Sequence, residues 1–261
     1  MIKIARADLY GAVMLHASQS VLLCRLADEF GGEVWTFPKA QPRPDESPAE
    51  TAVRAALEGS GYPAEILEVV PGGFPDTTSL SAFYVVGRAP GERKRAGSAA
   101  SSQWVDFRTA QDLIAQQQGE AERERDLAIL RAAQDVRVRL TWSQRPAVWK
   151  DDWRGKEMPR QRREIALDLR FDEFAMARIR KGLLPRAMEE KWFAWFEKSC
   201  LHLHRSWTGY CIYEVNFVRE SDHWRAISAT VNSHPKQRIP NDNDEDRRWI
   251  ARIIAGQLLY E

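Results

Sequence analysis

Residues 33–62 read EVWTFPKAQPRPDESPAETAVRAALEGSGY, and this stretch decides how the first half of the chain is built. Ser47 can cap a helix, Pro48 suits its first turn, and Glu50 stands three residues after Ser47, where it completes a capping box. A helix from Ser47 to Ser60 follows, ended by the C-terminal glycine Gly61. Upstream of the proline-studded loop Pro38–Pro48, the run Glu33–Phe37 reads as a strand. Leu9–Leu15 and Ser20–Leu26 are apolar runs split by His16–Gln19, the pattern of a hairpin or meander. Downstream, Ile66–Val70, Ser81–Val86 and Gln103–Phe107 read as strands, and Arg88–Ser102 as a polar surface loop. Thr109–Gln117 and Glu122–Gln134 carry helical spacing. The result is an α/β unit over residues 1–140.

The spacing of the quoted stretch resembles the Nudix hydrolase family, whose signature is G-x5-E-x7-R-E-U-x-E-E-x-G-U with U apolar. With the first position on Ala40, the family's first Glu falls on Glu46, its Arg on Arg54, one helix carboxylate on Glu58, its late Gly on Gly61 and its final apolar position on Tyr62. The resemblance implies a Nudix-like sandwich, a mixed sheet with flanking helices, followed here by a small α+β domain. It also implies magnesium or manganese as cofactor and a ligand in which a nucleoside diphosphate is joined to another group, such as ADP-ribose, NAD or a nucleotide sugar. Carboxylates three and four apart on one helix face gather divalent cations, which neutralise a diphosphate and activate water. Here Ala55 and Gly59 stand where two of the helix glutamates belong, so the signature is degenerate. Glu46 and Glu58 are the residual catalytic carboxylates, and Glu58 is the one remaining helix metal ligand. Glu46 and Arg54 suit a loop-anchoring pair. Lys39, Arg43 and Arg54 are candidate contacts for an anionic ligand. The expected function is binding or sensing a nucleotide-derived small molecule, with an active metal-dependent hydrolase, an activity in the second half, and a protein-interaction scaffold or homo-oligomer as the alternatives.

Eight of the ten tryptophans lie at or after Trp142, a shift that marks a change of domain. Residues 141–163 read as a linker that partly packs on one domain, and 164–261 as an aromatic α+β domain. Ile165, Leu167, Leu169 and Phe171 alternate as a strand does, and Asp172 caps a helix running toward Gly182. Trp192–Glu197, Cys200–Arg205, Tyr210–Val218 and Trp224–Val231 read as four further strands, and Asp244–Tyr260 as a closing helix. Between aromatic strands, His204, Arg205, Ser206, Trp207 and Thr208 offer an anion fork, hydroxyls and a stacking face, a candidate ligand site. Met188–Val218 is similar to segments of uncharacterised bacterial proteins, and no activity follows from that similarity. Cys200, His202 and His204 alternate onto one strand face, with Cys211 available from the neighbouring strand, an arrangement able to hold zinc. Buried small hydrophobes are the commoner use of such cysteines. The acidic run Asp242–Asp246 lacks EF-hand spacing and reads as a solvated helix start.

A net charge of +1, from 38 basic and 37 acidic residues, provides no global field for nucleic acid or a membrane. Three cysteines without a CxxC pair favour a reducing compartment, and no apolar run reaches membrane-spanning length, so the expectation is a cytoplasmic protein.

Overall fold

The computed structural model describes residues 3–27, 33–90, 101–187 and 189–259. The chain divides into two compact units, Met1–Pro146 and Ala147–Glu261. In the first, the order is β1 (Leu9–Met14), β2 (Val21–Ala27), β3 (Glu33–Thr36), β4 (Lys39–Ala40), α1 (Pro48–Ser60), β5 (Ala64–Val69), β6 (Phe74–Pro75), β7 (Leu80–Arg88), β8 (Ser101–Val105), α2 (Phe107–Ile114) and α3 (Glu120–Arg139). One sheet runs β4-β1-β7-β5, with β6 also paired to β7, and a second runs β3-β2-β8.

The apolar run of β1 is continuous because both of its faces are covered, as parallel-paired strands require. Ala12 and Met14 pack with Ala52 and Ala56 of α1, while Val13 and Leu15 pack with Ile114 of α2 and Ile129 and Ala133 of α3. This corrects the hairpin expected from Leu9–Leu15 and Ser20–Leu26. β1 pairs in parallel with β7 and antiparallel with β4, and only a Leu15–Val21 bridge joins it to β2, which belongs to the other sheet. A turn at His16–Ser20 reverses the chain without committing the two strands to one ladder.

Helix α1 has the expected ends. Ser47 and Glu50 form the capping box, and Gly61 closes the helix at φ 77°. The proline-rich loop contains one element that composition hid, the two-residue β4. Of the expected loop Arg88–Ser102, residues 91–100 lie outside the described residues.

The second unit contains β9 (Arg162–Phe171), α4 (Glu173–Ile179), β10 (Trp192–Glu197), β11 (Cys200–Arg205), β12 (Cys211–Arg219), β13 (Trp224–Asn232) and α5 (Asn243–Ile253), which continues as a π-helical turn over Ile254–Leu259. Its antiparallel sheet has the order β10-β11-β12-β13-β9. One face is the core: Trp192, Leu201, Leu203, Tyr213, Val215 and Ala229 pack under Met176 and Ile179 of α4 and Ile250 and Ile253 of α5. The expected linker divides between the units. Gln144 donates to the Leu67 carbonyl and Glu68 in the first, while Val148 bonds to Lys181 and Lys156 to Gly209 in the second. Among the described residues, no helix is long and apolar enough to cross a membrane.

The acidic run at α5 is only partly a solvated helix start. Asp242 caps the helix by accepting from the Glu245 amide, whereas Asp246 is fully buried and accepts from Tyr213 Oη at 2.7 Å, Arg238 Nη2 at 2.6 Å and Arg163 Nη2. This carboxylate ties β9, β12 and α5 together. Asp246→Ala leaves two guanidinium groups without their counter-charge, and the expected loss is about 3–5 kcal/mol in urea unfolding, against about 1 kcal/mol for Ser47→Ala at the exposed cap of α1.

Candidate functional site

Loop 40–47 and helix α1 are joined by one side chain. Arg54 donates from Nε to Glu46 Oε1 and from Nη2 to Glu46 Oε2, both at 2.7 Å, a bidentate pair. Nη2 also reaches the Gln41 carbonyl at 2.8 Å, and Nη1 reaches Glu58 Oε2 at 3.2 Å. Glu46 Oε2 further accepts from the Arg43 amide and the Thr51 hydroxyl. Its hydrogen bonds, that from Arg54 foremost, pull the Glu46 carboxyl down to about 2. Arg43 Nη2 donates to the other oxygen of Glu58 at 3.2 Å. Both residual carboxylates of the signature are therefore held by arginine, and Arg54 is only 16% exposed.

Ala55 is buried, and a Cβ added at Gly59 would lie 2.9 Å from Pro38 Cβ and 3.2 Å from Cys24 Sγ. Cys24 donates its thiol hydrogen to the Gly59 carbonyl, and burial pushes that thiol up to about 12. A divalent cation of the magnesium kind needs about six oxygen ligands, several of them from carboxylates or phosphates with free lone pairs. The residues present do not fit one.

Lys39 is placed differently from the loop cation that the sequence suggests. It lies on β4, half-buried, and its Nζ donates to Thr36 Oγ1 at 3.4 Å. Burial holds its ammonium below the ordinary lysine range, and Asp126 opposes that shift. Asp126 in turn accepts from Thr36, Gln117 and Arg125, and Arg125 also pairs with Asp76. This buried polar group joins residues 36, 76 and 126, which no local pattern connects.

In the second unit the hairpin residues do not converge. Strand alternation sends successive side chains to opposite faces. His204 is buried on the outer face of the sheet, whereas Arg205 lies over Trp192, a core residue of the other face, with the guanidinium 4.3 Å from the ring centroid. Ser206 is buried and donates to the Glu190 carbonyl, and Trp207 and Thr208 are exposed at the turn. Of the five, only His204 reaches the cavity described next.

That cavity, of about 440 Å³, lies over the outer face and is lined by Trp195, His202, His204, Cys211 and Glu214, with Lys150, Lys156 and Arg162 among its other walls. His202, His204 and Cys211 offer ligand atoms all within 4.8 Å of one another. Cys200, grouped with them by alternation, falls outside this group. Cys211 joins because a bulge at Ile212 sets it opposite His204 after Leu203 has paired with Tyr213. His202 Nδ1 lies 3.4 Å from Glu214 Oε1, and Trp195 stacks on the His202 ring at 3.8 Å. His204 Nδ1 sits 3.1 Å from the Gly209 carbonyl and Nε2 accepts from Trp195 Nε1 at 3.3 Å. Burial holds the His204 pKa below its ordinary value. Trp195, Glu214 and the three cationic wall residues were not singled out from the sequence. The two-residue alternation of β10, which puts Trp195 beside His202, was the available signal for the first of them.

Residues 6–127 match the model of the NUDIX domain family. Among solved structures, the chain is similar to the E. coli ORF135 protein, at 18% identity and TM-score 0.41 over 51% of this chain and 91% of that one. It is also similar to a NUDIX hydrolase from Nitrosomonas europaea, at 15% identity and TM-score 0.43 over 51% and 90% of the two chains. A C. elegans Ap4A hydrolase matches at 16% identity and TM-score 0.38 over 49% and 96%.

Two measurements check the geometry of the first site. Gly59→Glu should destabilise the protein by about 1–3 kcal/mol in urea unfolding, because its Cβ meets the Pro38 ring rather than open space. A carboxyl whose folded pKa is depressed adds stability that is complete above its unfolded value and is lost as the pH falls through the folded one. NMR titration of the Glu46 carboxyl should accordingly give a midpoint near 2, and Arg54→Met should return it toward the ordinary range.

Proposed function

We propose, starting from the NUDIX domain that residues 6–127 form, that the protein binds a nucleotide-derived ligand, a nucleoside diphosphate joined to another group, and does not hydrolyse it. The observation that carries this reading is the arginine clamp on Glu46 and Glu58. Hydrolysis in this family uses carboxylates to hold divalent cations. Here such a cation would have to displace guanidinium groups that already neutralise both carboxylates, and Ala55 and Gly59 supply no replacement oxygen.

The same clamp supports binding of an anion. Arg43 is 65% exposed and its 3.2 Å contact to Glu58 is a surface ion pair, a kind that contributes little to stability. Exchanging that contact for a phosphate oxygen gives Arg43 a charge-assisted bond of the sort guanidinium groups favour. Arg54 stays on Glu46 and keeps the loop in place. Lys39, at the base of the loop, adds positive charge from β4. In this reading the fold retains the recognition surface of its family while the hydrolytic metal face is packed shut.

Thermal shift with ADP-ribose, NAD and nucleotide sugars, with and without magnesium or manganese, and chromatographic analysis of products, tests the reading. Saturation at a hundredfold excess over Kd should stabilise the protein by about 2.7 kcal/mol, independently of metal and without product. Arg43→Ala should weaken that shift. Metal-dependent turnover lost in Glu58→Gln overturns the proposal, as does the absence of a shift with every one of these ligands.

A further inference from the structure

We propose that the outer face of the second unit's sheet carries a binding site for one zinc-class cation, held by His202, His204 and Cys211 with its fourth coordination position open to the cavity above. The site is independent of the NUDIX domain and of the reading given for it. Two imidazoles and one thiol form a mixed nitrogen and sulfur donor set of the kind zinc takes, and three protein ligands leave room for water or a small anion.

The three donor atoms already lie within 4.8 Å of one another. Metal bonds of about 2.0–2.3 Å place tetrahedral ligands about 3.5 Å apart, so closure brings the donors nearer one another by about 1 Å. The groups behind the ligands are also in place. Glu214 lies against Nδ1 of His202 and the Gly209 carbonyl against Nδ1 of His204, so each ring can direct Nε2 at the cation. Metal-binding histidines are oriented in this way by carboxylates and carbonyls. Trp195 then gives up its 3.3 Å bond to His204 Nε2.

The bulge in β12 supplies an independent structural argument. In a regular ladder Ile212 would follow Tyr213 opposite His204. The extra residue instead brings Cys211 there, so that a thiol faces an imidazole across the strand pair. Bulges recur where a side chain is re-aimed at a functional site. Cys211 now donates its thiol hydrogen to the Tyr213 carbonyl at 3.8 Å. On binding, the S–H bond breaks, the sulfur–metal bond forms and one proton leaves to solvent for each cation held.

The cavity is large enough for a small molecule, and Lys150, Lys156 and Arg162 line it along with the three ligands and the carboxylates Glu157 and Glu214. Three cations against two carboxylates, beside a bound divalent metal, favour an anion, so the fourth ligand belongs to the class of small carboxylates and phosphates.

Cobalt(II) titration of the chelator-treated full chain tests this directly. One equivalent should bind with a thiolate-to-cobalt charge-transfer band and tetrahedral visible bands, zinc should displace it, and inorganic phosphate or formate should change the visible bands. Cys211→Ser should lose the charge-transfer band, and His202→Ala should weaken binding at least tenfold. Cys200→Ser should behave as the unaltered protein. Circular dichroism and metal-free melting separate loss of the site from loss of the fold, and His202, on the half-buried strand face, offers the variant less damaging to folding. Absence of stoichiometric cobalt binding, or a band that disappears with Cys200→Ser, overturns the site. Visible bands that ignore both anions overturn the open position.

Discussion

Arg54 is the residue on which the loop and helix of the first unit depend. Its guanidinium binds Glu46 through two parallel hydrogen bonds and reaches Gln41 and Glu58, so one planar cation ties both ends of the loop to α1. Arginine thus supplies the charge that balances both carboxylates. Beside them Ala55 is buried, and Pro38 and Cys24 close against Gly59.

The second unit solves a different problem. An antiparallel sheet has two faces, and only one is needed to make a core. Here α4 and α5 cover the apolar face, and Asp246 links that cover to the sheet through Tyr213 and Arg163. The other face is left for polar side chains and is roofed by the segment that follows Ala147. A rigid sheet with short turns is a good platform for closely spaced ligands, because strand register sets the distances between rings. Trp195 stacked on His202 and Glu214 behind it restrict that ring further. The two units therefore place their polar chemistry on contrasting supports, a loop clamped to a helix in one and the face of a sheet in the other.

The sequence by itself determined the order of the longer elements, the caps of α1, and the relation of residues 6–127 to the NUDIX domain family, because helix ends, strand alternation and signature spacing are all written within a few residues of one another. It also placed Ala55 and Gly59 at two positions where the resemblance expects glutamate. It could not say that those positions are packed shut, since Pro38 and Cys24 come to Gly59 from elsewhere in the chain. Nor could it separate β1 from β2, because a short turn between two apolar runs looks the same whether the strands pair with each other or with distant partners. The grouping of His204 with Arg205, Ser206, Trp207 and Thr208 failed because the strand neighbours His204 and Arg205 point to opposite faces and the other three lie in the turn beyond the strand. Tertiary structure decided which residues share a site. His202 meets Glu214 across a strand pair, and Cys211 rather than Cys200 joins the histidines because one extra residue shifts the register of β12. Sequence spacing records alternation along a strand, while register and bulges depend on how distant strands pack, and that is settled only when the sheet forms.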